Sequence, residues 1–234
     1  MRDTGVLIDH TYPLVLAGPS GSGKTTAVRE LLRRRSDLRF SVSATTRASR
    51  PGERDGIDYL FLERADFERM RDRGELLEWA EVHGELYGTR SENLEGARAE
   101  GVHLVLDIDV QGARLVRVAV PDAVSIFLLP PRGAWLSRLG ARGSETPSTL
   151  RRRLRTAAEE LGAAGEFDYV LVNEDLGETV DRVEAILDAE ESRVGRVGND
   201  LNRFVSMLEL EVAAAQAEAV EGEEAENEGT GDTQ

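Results

Sequence analysis

The feature that most limits how this chain can fold is a glycine-rich loop between a short apolar run and a helix. The loop, Gly18 to Thr25, reads GPSGSGKT. This is the pattern G-x-x-x-x-G-K-[ST], in which backbone N–H groups at the start of a helix surround nucleotide phosphates. Leu14 to Ala17 before it are apolar, as in a buried parallel strand, and Val28 and Leu31 share a face of the next segment. Strand, loop and helix in this order predict a nucleoside triphosphate site.

Lysine occurs only in this loop. Of the 29 basic residues, Lys24 is the single lysine and the other 28 are arginine. A lysine reaches the β- and γ-phosphates as a compact point charge, which the planar arginine fork cannot do without a change of geometry. The hydroxyl of Thr25 follows at the position that ligates the Mg²⁺ accompanying the nucleotide. The pattern therefore indicates a working phosphate loop rather than an incidental glycine-rich turn.

Composition sets the broad class of protein. With 234 residues and 40% hydrophobic content, the chain can form one core with inserted subdomains or two small domains. It has no cysteine, so disulfides and thiolate metal sites are excluded. No run approaches the roughly 18 apolar residues of a membrane span, and the N-terminus lacks a secretory apolar region. We expect a cytoplasmic protein without a membrane partner.

Negative charge is concentrated at the C-terminus. The net charge is −15, and residues 209–234 contain nine acidic residues and no basic one. Such an Ala-, Glu- and Gly-rich segment without aromatic residues buries little surface, which predicts a disordered acidic tail over 209–234. The acidic balance also argues against nucleic acid as a partner.

Apolar runs alternate with helical stretches along most of the chain, which predicts an α/β fold with a parallel sheet covered by helices on both faces. The predicted strands are Leu14–Ala17, Phe40–Ser43, Val102–Ile108, Ala123–Leu129 and Tyr169–Val172. The predicted helices are Thr25–Arg35, Ala65–Arg73, Glu92–Glu100, Gln111–Val118, Gly133–Leu139, Ser148–Gly162 and Leu176 to about Arg193. Residues 44–99, rich in glycine and short apolar runs, break the alternation and predict a mixed, β-rich insertion.

The insertion carries side chains suited to a phosphate monoester and a base. Arg47 and Arg50 lie three residues apart in a turn-rich segment, and Tyr59 and Tyr87 follow. Paired guanidinium groups with tyrosine hydroxyls orient a phosphate dianion through charge-assisted hydrogen bonds. The carboxylate of Glu78 can accept two N–H donors from a guanine edge, a pattern that adenine does not present.

These segments together resemble the guanylate kinase family from about Pro13 to about Arg193. The matching motifs are GPSGSGKT, FSVSATTRASRPGERDGIDYLF, LLEWAEVHGELYGT, LDIDVQGA, IFLLPPRGAWLSRLGARG and FDYVLVNEDL. Several long motifs in the right order make the resemblance far more specific than the loop alone. It implies a P-loop NTPase-type core over 13–208 after an N-terminal extension, residues 1–12. It also implies a GMP-binding insertion over about 44–99 and an arginine-rich lid over about 138–153.

The resemblance implies transfer of the γ-phosphoryl group of ATP to GMP with Mg²⁺ as cofactor. The ATP site would comprise Gly18, Pro19, Ser20, Gly21, Ser22, Gly23, Lys24, Thr25, Thr26, Arg138 and Asn173. The GMP site would comprise Ser43, Arg47, Arg50, Glu53, Tyr59, Glu78, Tyr87, Thr89 and Asp107. The residues expected to act in catalysis are Lys24, Arg47, Arg50, Asp107, Asp109, Arg142 and Arg153. Trp135 is expected only to pack.

Two alternatives are weighed against this function. A non-catalytic guanylate-kinase-like binding module typically loses phosphate-loop residues, whereas this chain keeps all of them. A related kinase acting on a ribosyl phosphate would have no use for the set Ser43, Glu78 and Thr89, which is expected to read guanine. Whether the chain is a monomer or a homo-oligomer is left open by the sequence.

Overall fold

The computed structural model describes residues 11–82, 84–131, 133, 135 and 147–229. The strands are β1 (Pro13–Ala17), β2 (Leu38–Phe40), β3 (Ala44–Thr45), β4 (Leu60–Phe61), β5 (Leu76–Val82), β6 (Glu85–Arg90), β7 (His103–Asp107), β8 (Val124–Leu129) and β9 (Tyr169–Val172). The α-helices are α1 (Lys24–Arg34), α2 (Arg64–Asp72), α3 (Ser91–Glu100), α4 (Val110–Ala119), α5 (Pro147–Gly162), α6 (Leu176–Glu191) and α7 (Val194–Gly229), and a 3₁₀ turn covers Ala164–Glu166.

The main sheet is parallel, with strand order β2-β7-β1-β8-β9. Its central strand β1 is fully buried along its length because it consists of apolar residues with neighbours on both edges. The carboxyl ends of β1 and β7 meet at one edge of the sheet, where open α/β sheets bind their ligands. The predicted α/β parallel sheet is confirmed.

A second sheet is formed by the insertion, with strand order β4-β3-β6-β5. The β3–β4 pair is parallel, and the β3–β6 and β5–β6 pairs are antiparallel. Phe67 of α2 is buried against Ala44 and Leu86 and anchors a small core of its own. The prediction of a mixed, β-rich insertion is confirmed.

The predicted and observed strand boundaries differ most where the chain passes from the main sheet to the second sheet. The strand predicted over Phe40–Ser43 lies at Leu38–Phe40, and Ala44–Thr45 pairs in the second sheet. Polar Ser41 and Ser43 lie between the two pairing regions, so the run read as one strand spans a crossing from one sheet to the other. Most of the helix predicted over Gly133–Leu139 lies outside the described residues.

The C-terminal segment differs from the prediction of disorder. Residues 194–229 form the single long helix α7, and its described side chains from Asn202 to Ala219 are exposed. Alanine and glutamate are strong helix formers, so low apolar content does not exclude a helix here. Residues 11–186 form one compact unit, and the described residues from Leu187 onward belong to a second. Among the described residues, no helix is long and apolar enough to cross a bilayer.

Candidate functional site

The glycine-rich loop connects β1 to α1 through backbone conformations that other residues avoid. Gly18, Gly21 and Gly23 have φ values of 143°, 83° and 90°. A Cβ at Gly18 would lie 2.3 Å from the carbonyl oxygen of Leu128, and one at Gly23 would lie 2.3 Å from Asn173 Nδ2. Gly18 and Gly23 are therefore required both by their φ angles and by close packing, and Gly21 by its φ angle. Gly23 directly precedes α1, so free N–H groups of the helix point into the loop.

Side chains from distant parts of the chain hold the loop carbonyls. Asn173, at the end of β9, donates from Nδ2 to the Ser22 carbonyl at 2.6 Å, and this contact is buried. Trp135 Nε1 donates to the Ser20 carbonyl at 3.0 Å. The Lys24 ammonium donates to the Gly18 carbonyl at 2.6 Å across the loop. These three contacts hold the backbone of the loop in place between β1 and α1.

Asn173 and Trp135 make contacts that the sequence analysis did not include. Asn173, which stays an expected neighbour of the adenine, also braces the phosphate loop. Trp135, read as a packing residue, makes a specific hydrogen bond to that loop. No local sequence signal reveals this pairing, because Ser20 and Trp135 are separated by 115 positions.

Thr25 and two aspartates at the carboxyl end of β7 lie beside the loop. Thr25 Oγ1 donates to Asp107 Oδ2 at 2.7 Å, which places a hydroxyl and a carboxylate together at the start of α1. Asp109 accepts the N–H of Gly112 at 2.8 Å and is the N-cap of α4. The structure thus places Asp107 beside the phosphate loop, and Asp109 has a helix-capping contact that the sequence analysis did not include.

Glu160 of α5 is a site residue that the sequence analysis missed. Its carboxylate lies near the backbone N–H of Ser20 in the phosphate loop, and this N–H lowers its pKa. Burial raises the pKa of Glu160, the positive charge of Lys24 partly offsets that rise, and the negative charge of Asp109 adds to it. No motif marks this glutamate in the sequence, and its half-buried position in α5 is visible only in the structure.

Arg47, Arg50 and Glu53 lie together in one turn of the insertion, here called the arginine cradle. Arg47 donates through both terminal nitrogens to Glu53, with N–O distances of 3.0 and 2.9 Å. The backbone N–H of Arg50 donates to the same carboxylate at 2.7 Å. The Arg47 hydrogen bond holds the pKa of Glu53 below its ordinary value, so this carboxylate stays ionised. Glu53 therefore fixes the turn that carries both arginines, as the resemblance implies.

The two tyrosines flank this cradle. The Arg47 guanidinium lies 5.3 Å from the ring centroid of Tyr59, and the rings of Tyr59 and Tyr87 meet edge to face at 6.2 Å. Burial raises the pKa of Tyr59, and the nearby negative charge of Asp107 raises it further. The hydroxyl of Tyr59 thus remains protonated as a donor, and the cradle lies within electrostatic reach of the Asp107 side chain.

Glu78 is a buried carboxylate that is held by only one of its oxygens. It is 8% exposed, and Oε1 accepts the backbone N–H of Thr89 at 3.0 Å and its hydroxyl at 2.7 Å. Burial raises its pKa to about 7, although the Thr89 hydrogen bonds lower it, and the charge of Asp109 adds to the rise. Oε2 makes no hydrogen bond to the described residues and faces Gly112, where an added Cβ would lie 3.5 Å from it.

For some predicted site residues the structure gives a position but no side-chain contact that bears on the site. Others lie outside the described residues. Arg50 is exposed, and its side chain has no acidic partner among the described residues. Ser43 is half-buried between the sheets, and Thr26 is exposed in α1. Arg138 and Arg142 lie outside the described residues, and for Arg153 only its place in α5 is described.

Two groups of side chains suited to phosphate-bearing ligands lie near the start of α4. On one side lie the phosphate loop, Lys24 and the Thr25–Asp107 pair. On the other side lie the Arg47–Glu53 cradle and the free oxygen of Glu78. Cationic groups and free N–H donors suit phosphates, and a buried acceptor suits a donor edge of a planar base. Such an arrangement can align two phosphate-bearing molecules head to head.

Comparison with known proteins gives a consistent result. A family model described as guanylate kinase matches residues 10–190. A guanylate kinase from Symbiobacterium thermophilum is 47% identical over 186 residues, which cover 79% of this chain and 88% of the relative. One from Nocardia farcinica is 46% identical over 195 residues, which cover 80% of this chain and the whole relative. The crystal structure of a guanylate kinase from Anaplasma phagocytophilum superposes with a TM-score of 0.67 at 38% identity, covering 81% of this chain and 92% of that one.

Proposed function

The chain belongs to the guanylate kinase family, and from that premise we propose that it transfers the γ-phosphoryl group of ATP to GMP, giving ADP and GDP. The observation that carries this proposal is the pairing of a complete phosphate loop with a buried carboxylate, Glu78, whose second oxygen is free. The loop binds the donor triphosphate, and Glu78 reads the base of the acceptor.

The donor site works through charge and alignment. The Lys24 ammonium binds the Gly18 carbonyl, and the β- and γ-phosphates of ATP would offer it a stronger, charged acceptor. Asn173 and Trp135 keep their hold on the Ser22 and Ser20 carbonyls, so the loop N–H groups are oriented before ATP arrives. Preorganised donors of this kind stabilise negative charge in the transition state.

The acceptor phosphate of GMP is itself the nucleophile, so the reaction needs no strong base. The site must hold two anions in line and neutralise their repulsion. Arg47 is already oriented by Glu53, and the exposed Arg50 is free to turn onto the GMP phosphate from the same turn. The hydroxyls of Tyr59 and Tyr87 border the same cradle and add uncharged donors.

Guanine is selected by its donor edge. The N1–H and exocyclic amine of guanine match the Oε2 atom and the remaining acceptor capacity of Oε1 on Glu78. Thr89 donates two hydrogen bonds to Glu78 and so orients this carboxylate toward the base. Adenine presents an unprotonated N1 to this carboxylate and leaves it without a donor there. A ribosyl-phosphate kinase would gain nothing from a buried carboxylate at this position.

Mg²⁺ fits the chemistry of the donor site. Thr25 Oγ1 and Asp107 Oδ2 form a pair of hard oxygen ligands 2.7 Å apart at the start of α1, beside the loop that receives the phosphates. Thr25 would hold the ion directly, and Asp107 would bind its water ligands. When bound, the ion neutralises charge on the β- and γ-phosphates. Arg138, Arg142 and Arg153 are proposed to close over the triphosphate from the lid and to exclude water.

A coupled assay of ADP release with different acceptors tests this function. We expect turnover with GMP and little or none with AMP, CMP, UMP or ribose phosphates, because buried polar groups reject substrates that leave them unpaired. The control is Lys24→Ala, which should bind GMP but transfer nothing to it. Equal turnover with GMP and a ribose phosphate would favour the rival kinase. Binding of GMP without any turnover in the native chain would favour the non-catalytic module.

A further inference from the structure

The chain passes between the two sheets at two places, and one buried asparagine contacts both. It leaves the main sheet at residues 41–43, between β2 and β3, and returns where α3 follows β6 without an intervening residue. Asn93, in the first turn of α3, is 6% exposed. Its Nδ2 atom donates to the Val42 carbonyl at 3.0 Å and to Ser41 Oγ at 3.1 Å. Arg90, the last residue of β6, donates to its Oδ1 atom at 3.3 Å. One amide therefore connects the outgoing crossing to the returning one.

Val42 is the point at which the outgoing chain changes sheets. The N–H of Ser41 donates to the carbonyl of Val105 in β7 at 2.8 Å, so Ser41 still belongs to the main sheet. The carbonyl of Ser43 accepts the N–H of Leu60 at 2.9 Å, so Ser43 already belongs to the second sheet. Between these two residues, the carbonyl of Val42 is held by a side chain from another element.

Asn93 is a firm attachment point because α3 packs on the main sheet. Leu94 and Ala97 of this helix are buried with Leu104 and Leu106 of β7 in one apolar cluster. Burial of an amide is unfavourable unless it is hydrogen-bonded, and both polar atoms of Asn93 have partners. Its hydrogen bonds therefore tie the outgoing crossing to the sheet that carries the phosphate loop.

We propose that Asn93 is a positioning residue for the acceptor site, which fixes the orientation of the insertion relative to the main sheet. The inference rests on the proposed transfer to GMP. Contacts across the site depend on this orientation, since Glu78 Oε2 faces Gly112 of α4 and the charge of Asp107 reaches Tyr59. In-line transfer needs the two phosphates aligned, and a misplacement of ~1 Å can cost about 100-fold in rate.

Steady-state kinetics of two variants test this role. Asn93→Asp keeps the size of the side chain but turns an acceptor oxygen toward the Val42 carbonyl, and Asn93→Leu removes both donors. Each variant should lower kcat with GMP about 10- to 100-fold, because ATP and GMP are no longer held in line. The KM for GMP should change less than about threefold, since Arg47, Tyr59 and Glu78 all lie within the insertion.

Two controls separate orientation from stability. The affinity for ATP, measured by titration, should be unchanged in both variants because the phosphate loop belongs to the main sheet. Val183→Ala removes two buried methyl groups from α6, outside both crossings, and should lower the melting temperature at an unchanged kcat. All rates are measured below the melting temperature of each variant.

A distance measurement separates this inference from the proposed function. The native chain has no cysteine, so spin labels can be attached at Asp72→Cys in the insertion and at Val118→Cys in α4, which are both exposed positions. Without any nucleotide, Asn93→Leu should broaden the distribution of distances between the two labels. Broadening together with a native chain that does not phosphorylate GMP would refute the transfer but support the orientation of the insertion by Asn93.

Three results would overturn the inference. The first is a lower melting temperature with a native kcat in both Asn93 variants, which would make the asparagine a stabilising contact only. The second is an equal loss of kcat in Val183→Ala, which would trace the loss to stability. The third is an unchanged distance distribution in Asn93→Leu, which would show that other contacts set the orientation of the insertion.

Discussion

The raised pKa of Glu78 makes guanine recognition dependent on pH. Guanine offers two N–H donors, so it needs the ionised carboxylate as acceptor, and protonation of Glu78 replaces an acceptor by a donor. Burial raises the pKa of Glu78 to about 7, against 4.5 for an ordinary glutamate. The free enzyme is therefore half protonated near neutral pH. GMP should bind better as the pH rises through about 7, and binding should lower this pKa.

The size of the pH effect on kcat/KM for GMP follows from the titration of the Glu78 carboxyl group. Below a pKa of about 7, the ionised fraction of Glu78 falls about tenfold per pH unit, and kcat/KM for GMP falls with it. Replacing the carboxylate by an amide in Glu78→Gln places a donor against a donor. At about pH 8.5 that mismatch should cost ~2 to 4 kcal/mol in kcat/KM for GMP. The affinity for ATP should not change, because Glu78 lies on the acceptor side of α4.

The assay is GMP kinetics of the native chain and Glu78→Gln between about pH 5.5 and pH 8.5, with ATP affinity measured by titration. A phosphate monoester such as GMP titrates near pH 6, and this contribution is common to both proteins. The ratio of their kcat/KM values therefore isolates Glu78, and it should shrink about tenfold per unit below pH 7. A ratio that is constant over this range, or a Glu78→Gln variant as active as the native chain, would refute the role of this carboxylate.

Three further predictions concern the phosphate loop and the C-terminus. Lys24→Ala should lose several kcal/mol of transition-state stabilisation at an unchanged melting temperature, and activity within about tenfold of native would contradict the loop assignment. Gly18→Ala should lower the melting temperature by several degrees, because its Cβ would lie 2.3 Å from the Leu128 carbonyl oxygen at a φ of 143°; a native-like melting curve would show that the loop relaxes. Deletion of residues 209–234 should leave turnover and the melting temperature nearly unchanged, since the described side chains from 209 to 219 are exposed. A drop of several degrees would reveal packing of this segment.

The sequence predicted the main sheet well because its signals are local. The run Leu14 to Ala17 is apolar on both faces, as a central parallel strand requires, and the glycine loop after it fixes the chain direction. Tyr169–Val172 also matched the observed strand, here because its tyrosine, valines and leucine form a short run of residues that favour strands at the edge of the sheet. The short strands β3 and β4 were not predicted individually, because two-residue pairings depend on partners far away in the chain.

The helix at residues 194–229 shows where composition misleads. Low apolar and aromatic content predicted disorder for the final part of the chain, but alanine and glutamate favour helix without a core. The apolar residues Phe204 and Leu208 lie just before the acidic segment, so a boundary drawn at residue 209 cuts through one continuous helix.

Sequence motifs pointed to candidate site residues but not to the contacts between them. Motifs identified the loop, Arg47, Glu53 and Glu78, and the structure brings Arg47 and Glu53 into contact. Trp135, which donates to the Ser20 carbonyl, and Glu160, whose pKa the Ser20 N–H lowers, were missed because both lie far from Ser20 along the chain. The helix-capping role of Asp109 depends on where α4 begins, which sequence patterns locate only to within a few residues.

The most direct test of the proposed function is a competition for one labelled phosphoryl group. The native chain would receive γ-labelled ATP with Mg²⁺ and equal concentrations of GMP, AMP, CMP and UMP, and the labelled diphosphates would be separated. Since a site that hydrogen-bonds one base rejects those that leave it unpaired, nearly all of the label is predicted to appear in GDP. Label spread evenly over the diphosphates, or released only as inorganic phosphate, would contradict both the acceptor and the role of Glu78.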